Sequence, residues 1–302
     1  MVSSKFFVPG HISGFFQFCD SRRGEREIGS RNCGPCIGAG VETFVKAEKT
    51  RESETEVYIN GKKDPAETTK EAIRILLKES EVTARAEIKH LVHSPISAGC
   101  GMSGAGALGA TFAASSALNL DLSDDKLIGI AHEAEVRCKS GLGDVGPEFI
   151  GGLVIGLKPG APPYGRWERI SLDNRYKIVF VHLEDISTSD YLSDQAFRER
   201  VKKLGGTAMK NFLAEKSLEN FMKVSRNFSL SLKIYGSEFE GILRGISEDV
   251  PLGASAALLG RTIFSPVLET DVEKIRSIYS EYFDEDQIMV TSIDQGGCRS
   301  MT

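Results

Sequence analysis

The chain has 302 residues, 41% hydrophobic and 26% charged, with 37 Lys and Arg against 42 Asp and Glu for a formal net charge of −5. That balance excludes global disorder and leaves room for a full core, in one large domain or two intimate ones. No run of five or six basic residues exists to track a nucleic-acid backbone, and no apolar stretch of about 18 residues exists to span a membrane. The first ten residues lack the basic start and long apolar run of a secretory leader, so a cytoplasmic location is expected. Six cysteines, at 19, 33, 36, 100, 138 and 298, are too scattered for a disulfide framework and read as reduced thiols. Glycine is the compositional outlier, 31 residues.

In chain order, 5–9 and 13–18 read as short strands around a Pro9–Gly10 turn, and 20–40, polar and glycine-rich, reads as a long loop. β-Branched and aromatic residues at 41–48 and 54–60 suggest a hairpin. The spacing of Ala72, Ile73, Leu76 and Leu77 predicts a helix over 64–78, and 84–93 reads as a strand. A small-residue segment, Pro95 to Ala117, comes next and carries a helix from about 103 to 118. A further helix over 124–139 has Ser123 as its N-cap. A strand over 150–157 is followed by a loop at 159–165 that can separate two halves. The remainder predicts a strand at 177–183, helices over 194–204, 217–232 and 239–246, a loop at 251–260, a strand at 261–266, a helix over 271–283 and a strand at 287–293. Irregular alternation with hairpins fits an α+β mixture better than a wholly parallel sheet.

The glycine segment is the strongest local signal. From Gly101 to Ala117, 13 of 17 residues are Gly, Ala or Ser. Gly104, Gly106 and Gly109 lie within the predicted helix, where each glycine costs about 1 kcal/mol relative to alanine. Close backbone approach, to another element or to a ligand, is the reason that fits. A glycine turn feeding a helix N-terminus points free N–H groups and the positive end of the helix dipole at one spot, an anion site suited to phosphate. A tight helix–helix contact without ligand is the plain alternative. Gly99-Cys-Gly101-Met-Ser-Gly104 also spells G-x-G-x-x-G, with Asp121 near the offset of a dinucleotide site, but Pro95–Ala98 intervenes between strand and glycines. A Walker A motif is absent.

On the next helix His132 and Glu135 are three apart and share a face. Ser140-Gly-Leu-Gly-Asp144 follows as a glycine-punctuated turn. Mg²⁺ beside phosphate wants a carboxylate and a hydroxyl, which Glu135 and Ser103 can supply. A hydroxyl nucleophile wants an acceptor for its proton, which Asp144 can be. The plain alternatives are an i,i+4 pair between Glu135 and Lys139, an Asp144 that only shapes its turn, and a structural His132. Cys33-Gly-Pro-Cys36 has the spacing of a disulfide-exchange or half-metal site, but it lacks the preceding strand of a βαβ unit and a second C-x-x-C, so inert thiols are expected.

Together these segments resemble the kinase superfamily that includes galactokinase, homoserine kinase, mevalonate kinase and phosphomevalonate kinase. Pro9-Gly-His11-Ile-Ser-Gly14 is similar to its first motif. Pro95-Ile-Ser-Ala98-Gly99-Cys-Gly101-Met102-Ser103-Gly104-Ala105 is similar to its nucleotide loop, and Pro251-Leu-Gly-Ala-Ser-Ala-Ala-Leu-Leu-Gly260 to its third motif. Within the superfamily the archaeal pantoate kinases are the most similar, through 9–16, 29–31, 131–136, 140–145 and 259–264. The resemblance implies a two-domain fold, 1–160 and 161–302, with its active site in the cleft. It implies transfer of the ATP γ-phosphoryl group with Mg²⁺ to the primary hydroxyl of pantoate, on the archaeal route to coenzyme A. The phosphate loop would use Pro95, Ala98, Gly99, Gly101, Met102, Ser103, Gly104 and Ala105, with Ser103 and Glu135 at the metal and Asp144 as the catalytic acid residue. Ser30, Arg31, His132 and His11 would stand on the acceptor side. Where the family usually has an Arg after the Asp turn this chain has Gly156, with Lys158 two residues on, so Lys158 and Arg31 are the cations left for the acceptor's carboxylate. Homoserine, mevalonate or shikimate as acceptor, or nucleotide binding without turnover, are the alternatives, and a homodimer is implied by resemblance.

Overall fold

The computed structural model describes residues 2–19, 24–183, 194–258 and 260–301. Among these, nine strands form one sheet: β1 (Val2–His11), β2 (Phe15–Cys19), β3 (Gly29–Lys49), β4 (Glu54–Ile59), β5 (Lys62–Lys63), β6 (Ala84–Val92), β7 (Leu153–Lys158), β8 (Arg166–Ile170) and the C-terminal Arg299–Ser300. Four strands form a second: β9 (Tyr176–His182), β10 (Ser255–Ala256), β11 (Thr262–Leu268) and β12 (Met289–Ser292), in the order β10-β11-β9-β12; Arg299–Ser300 is β13. The helices are α1 (Glu67–Glu79), α2 (Met102–Ala117), α3 (Asp124–Cys138), α4 (Val145–Ile150), α5 (Gln195–Ala214), α6 (Leu218–Leu232), α7 (Ser237–Asp249) and α8 (Val272–Tyr279). The fold is α+β, and no described helix is long and apolar enough to cross a membrane.

β3 is the organising element. It runs 21 residues and pairs with β1 and β6 along its second half and with β2 and β7 along its first. The expected loop over 20–40 is corrected accordingly: 29–40 is strand, and residues 20–23 lie outside the described residues. Its glycines serve close strand packing. A Cβ on Gly34 would sit 1.7 Å from the Ile12 carbonyl oxygen, and one on Gly40 2.1 Å from that of Val8. Cys33 and Cys36 are fully buried, and three residues apart on an extended strand they point to opposite faces with Cα atoms about 10 Å apart, too far for a disulfide.

Two smaller corrections follow from the same sheet. The Pro9–Gly10 turn is a register shift inside β1, between Val8 and Gly10, and the chain reverses at 12–14 instead. The segments 41–48 and 54–60 are not a hairpin, because β6 lies between them, antiparallel to β3 and parallel to β4. The loop 159–165 joins β7 to β8 as a hairpin of the same sheet. α4 was not anticipated, and α5 extends ten residues beyond the expected 194–204, to Ala214.

α2 is buried on nearly every side, which explains its composition. Alanine and glycine let β1, β3, α1 and α3 pack close around it, and a Cβ on Gly109 would reach 2.7 Å from Thr43 Oγ1. α3 begins as the sequence predicts, with Ser123 Oγ accepting from the Lys126 N–H. Packed on α2, it brings Glu135 to the start of that helix.

Candidate active site

The glycine turn after β6 is shaped by left-handed backbone at Ser97, Gly99 and Gly101, with φ of 71°, 71° and 72°. Gly101 opens α2 without any side-chain cap, so the first N–H groups of the helix have no intrahelical partner and no internal acceptor. The turn is held from behind by the C-terminal half. A Cβ on Gly99 would stand 3.0 Å from the Leu258 carbonyl oxygen, one on Gly260 would stand 2.3 Å from that of Ala98, and Thr262 Oγ1 donates to the Ala98 carbonyl at 2.7 Å. Residue 259 of the third motif lies outside the described residues.

In front of the turn is a cavity of about 430 Å³. Gly99, Gly101, Met102 and Ser103 line one side, Ser13, Phe16, Ser30 and Asn32 another, and Glu135 and Lys139–Asp144 close it, with Leu258 reaching in from the C-terminal half. Asp144 stands at the start of α4 without a side-chain capping bond, a quarter exposed, and its Oδ1 accepts from His11 Nδ1 at 2.7 Å and from Ser13 Oγ at 3.3 Å. Ser13 is in turn held by Asn32, whose Nδ2 donates to Ser13 Oγ at 3.3 Å and to the Gly143 carbonyl at 3.1 Å. Ser103 Oγ donates to Thr68 Oγ1 at 3.1 Å, and Thr68 donates onward to Ser140 Oγ at 3.0 Å. Glu135 is buried with Oε2 unpartnered, and burial, then the Asp144 charge, pushes its carboxyl well above the usual range. Among the described residues no cluster of three or more His, Cys, Asp or Glu is arranged to hold a metal by itself. Mg²⁺ bound chiefly through phosphate needs only one or two carboxylates, and the unpartnered Glu135 oxygen, in the same cavity lining as Ser103, fits that requirement.

The structure brings together at this cavity Gly99, Gly101, Met102, Ser103, Glu135, Asp144 and Ser30, with Ala98, Gly104 and Ala105 directly behind the turn and His11 beneath Asp144. Pro95 begins the turn, its carbonyl accepting from the Ala98 N–H. Four expected acceptor residues do not line the cavity: His11, buried behind Asp144, and Arg31, His132 and Lys158. Arg31 faces the other side of β3 from Ser30 and Asn32 and donates from Nη1 to Gln17 Oε1 at 3.2 Å. His132 is buried and donates from Nε2 to the Ile28 carbonyl at 2.8 Å, and burial lowers its pKa. Lys158 is exposed at the end of β7. Sequence reasoning missed Ser13, Asn32, Thr68 and Lys139. Asn32 follows from Ser30 by strand alternation once 29–40 is read as strand.

A glycine turn opening a buried helix, with a carboxylate at the far wall and an α+β frame around both, defines a small-molecule phosphotransferase of the GHMP kinase type, and residues 67–152 match the family model described as GHMP kinases N terminal domain. The chain is 30% identical over 287 residues to the pantoate kinase of Methanospirillum hungatei JF-1, covering 92% of this chain and 91% of that one. It is 29% identical over 279 residues to the pantoate kinase of Thermococcus kodakarensis, covering 91% of each. A solved structure described as a phosphotransferase related to the CoA biosynthesis pathway superposes with a TM-score of 0.88 at 26% identity, over 100% of this chain and 99% of that one. The chain belongs to the pantoate kinase family.

Proposed function

We propose that the protein phosphorylates the primary hydroxyl of pantoate with ATP as donor, by direct in-line transfer, as a step of coenzyme A biosynthesis. The observation that carries this is the facing of two groups across one cavity: the uncapped N-terminus of α2, built for phosphate, and Asp144, tethered through Oδ1. In this reading the 95–105 turn cradles the nucleotide's phosphates with backbone N–H groups. Ser103 and Glu135 would hold Mg²⁺, which when bound neutralises charge developing on the phosphoryl oxygens. Asp144 orients the acceptor hydroxyl and takes its proton as the O–P bond forms. Ser30 and Asn32 form the acceptor wall. Lys139 is the one Lys or Arg that lines the cavity among the described residues, and it offers a cation to the anionic substrates. Arg31, His132 and Lys158 stand back from the acceptor.

The proposal extends to a cytoplasmic enzyme and to a homodimer as its assembly. The test is ATP consumption against a panel of pantoate, homoserine, mevalonate and shikimate, with the product identified by mass. Pantoate-dependent turnover at rates well above the others is expected. Turnover on another acceptor, or none on pantoate, overturns the assignment.

A further inference from the structure

Glu148 on α4 has no place in the mechanism above, yet it buries a whole carboxyl group beside the glycine turn. The side chain is fully buried and neither carboxyl oxygen has a hydrogen-bond partner. A buried polar group left without a partner is unfavourable. Its position is specific. Oε1 lies 2.2 Å from where a Cβ on Gly101 would be, and Oε2 lies 2.9 Å from where one on Gly104 would be. The carboxyl group therefore sits against Gly101 and Gly104 of the turn that lines the cavity, without lining the cavity itself. Glu135 Oε1 comes within 3.1 Å of the Gly104 point and Asp144 Cβ within 3.4 Å of the Gly101 point, so two further acidic residues flank it. Burial and those two neighbours disfavour its charged form.

We propose that Glu148 is a positioning residue for the phosphate turn: its carboxyl group occupies the space beneath Gly101–Gly104, keeps water out of it, and so leaves the first N–H groups of α2 no partner except the nucleotide. It acts through the turn and touches neither substrate. The assignment rests on reading that turn as the nucleotide's phosphate site. It explains why two glycines flank this one side chain: the carboxyl group occupies the room their side chains would need. With Glu148 shortened, water enters beneath the turn, the amides gain inner partners, and the free turn must be desolvated again before phosphate binds.

The test measures binding of a non-hydrolysable ATP analogue by calorimetry, together with kcat and both KM values. Glu148→Gln keeps the volume and a neutral polar head, and binds the analogue within about twofold of wild type. Glu148→Ala weakens analogue binding by about tenfold or more, with KM for ATP rising in parallel and kcat and KM for pantoate within about twofold. Glu148→Asp withdraws the carboxyl group by one methylene, should the alanine variant fail to fold, and weakens binding by about threefold. Unchanged analogue affinity in the alanine and aspartate variants overturns the proposal, as does a glutamine variant as weak as alanine. Wild-type protein that binds the analogue but does not phosphorylate pantoate removes the acceptor assignment and leaves this one standing.

Discussion

His11 Nδ1 donates to Asp144 Oδ1 at 2.7 Å, joining a fully buried ring on β1 to a carboxylate 133 residues further along the chain. A carboxylate only accepts, so the proton is on Nδ1. Ser13 also donates to Oδ1, and Oδ2 takes no hydrogen bond among the described residues. Asp144 is thereby fixed in orientation with one oxygen in reserve, which is what a proton acceptor for a bound hydroxyl requires.

Replacing Asp144 with Asn keeps the shape and removes the basicity. Asp144→Asn is expected to lower kcat by about 10²- to 10⁴-fold while analogue affinity stays near wild type. Steady-state kinetics with calorimetry check this, and wild-type turnover in the variant removes the role.

Glu135 is expected to set the metal requirement. Its buried oxygen has no hydrogen-bond partner among the described residues and lines the same cavity as Ser103. Glu135→Gln should raise the Mg²⁺ concentration for half-maximal rate by at least about tenfold, the scale on which even residues that merely support metal ligands act. A Mg²⁺ titration with an unmoved midpoint returns Glu135 to the core.

His90 gives the fold an acid-side dependence. Thr43 and Thr69 bond its two ring nitrogens at 2.9 and 3.1 Å, and burial lowers its pKa from 6.5 to about 4. The unfolded chain takes up this proton more readily than the folded one, so the contribution is fully present above about pH 6.5 and is lost as pH falls towards 4, approaching about 3 kcal/mol. Denaturant unfolding between pH 4 and 7 should show that slope in wild type and a flatter one in His90→Gln. Equal slopes contradict the assignment.

Gly34 is expected to be the costliest glycine of β3 to replace. The obstruction at 1.7 Å is backbone, so it cannot move aside as a side chain can. Gly34→Ala should lose about 3 kcal/mol or more, whereas Gly241→Ala, where nothing stands within 4 Å, should be neutral or slightly stabilising. Thermal unfolding of the pair decides, and equal midpoints contradict the packing argument.

How much of this was legible depends on what each residue answers to. α1, α2 and α3 announced themselves because their patterns are local: periodic apolar positions, a run of small residues, a serine cap. The phosphate turn was legible for the same reason. β3 was not, because Gly34, Pro35 and Gly40 look like loop residues until β1, β2 and β7 press against them, and those neighbours come from distant parts of the chain. Reading 20–40 as loop concealed Asn32 and the alternation that turns Arg31 away from the cavity. Glu148 carried no signal at all: one acid in a six-residue helix becomes unusual only when Gly101 and Gly104 arrive over it. His132 shares a face with Glu135 in sequence, yet its ring goes to Ile28.

The contact between Gly99 and Gly260 reaches beyond the site itself. It is main chain against main chain, with Thr262 pinning the Ala98 carbonyl, so the glycine turn is complete only with the last seventh or so of the polypeptide packed on it. A fragment ending before Leu258 would not be a weaker version of the whole: it would carry the entire glycine turn and lack the wall behind it.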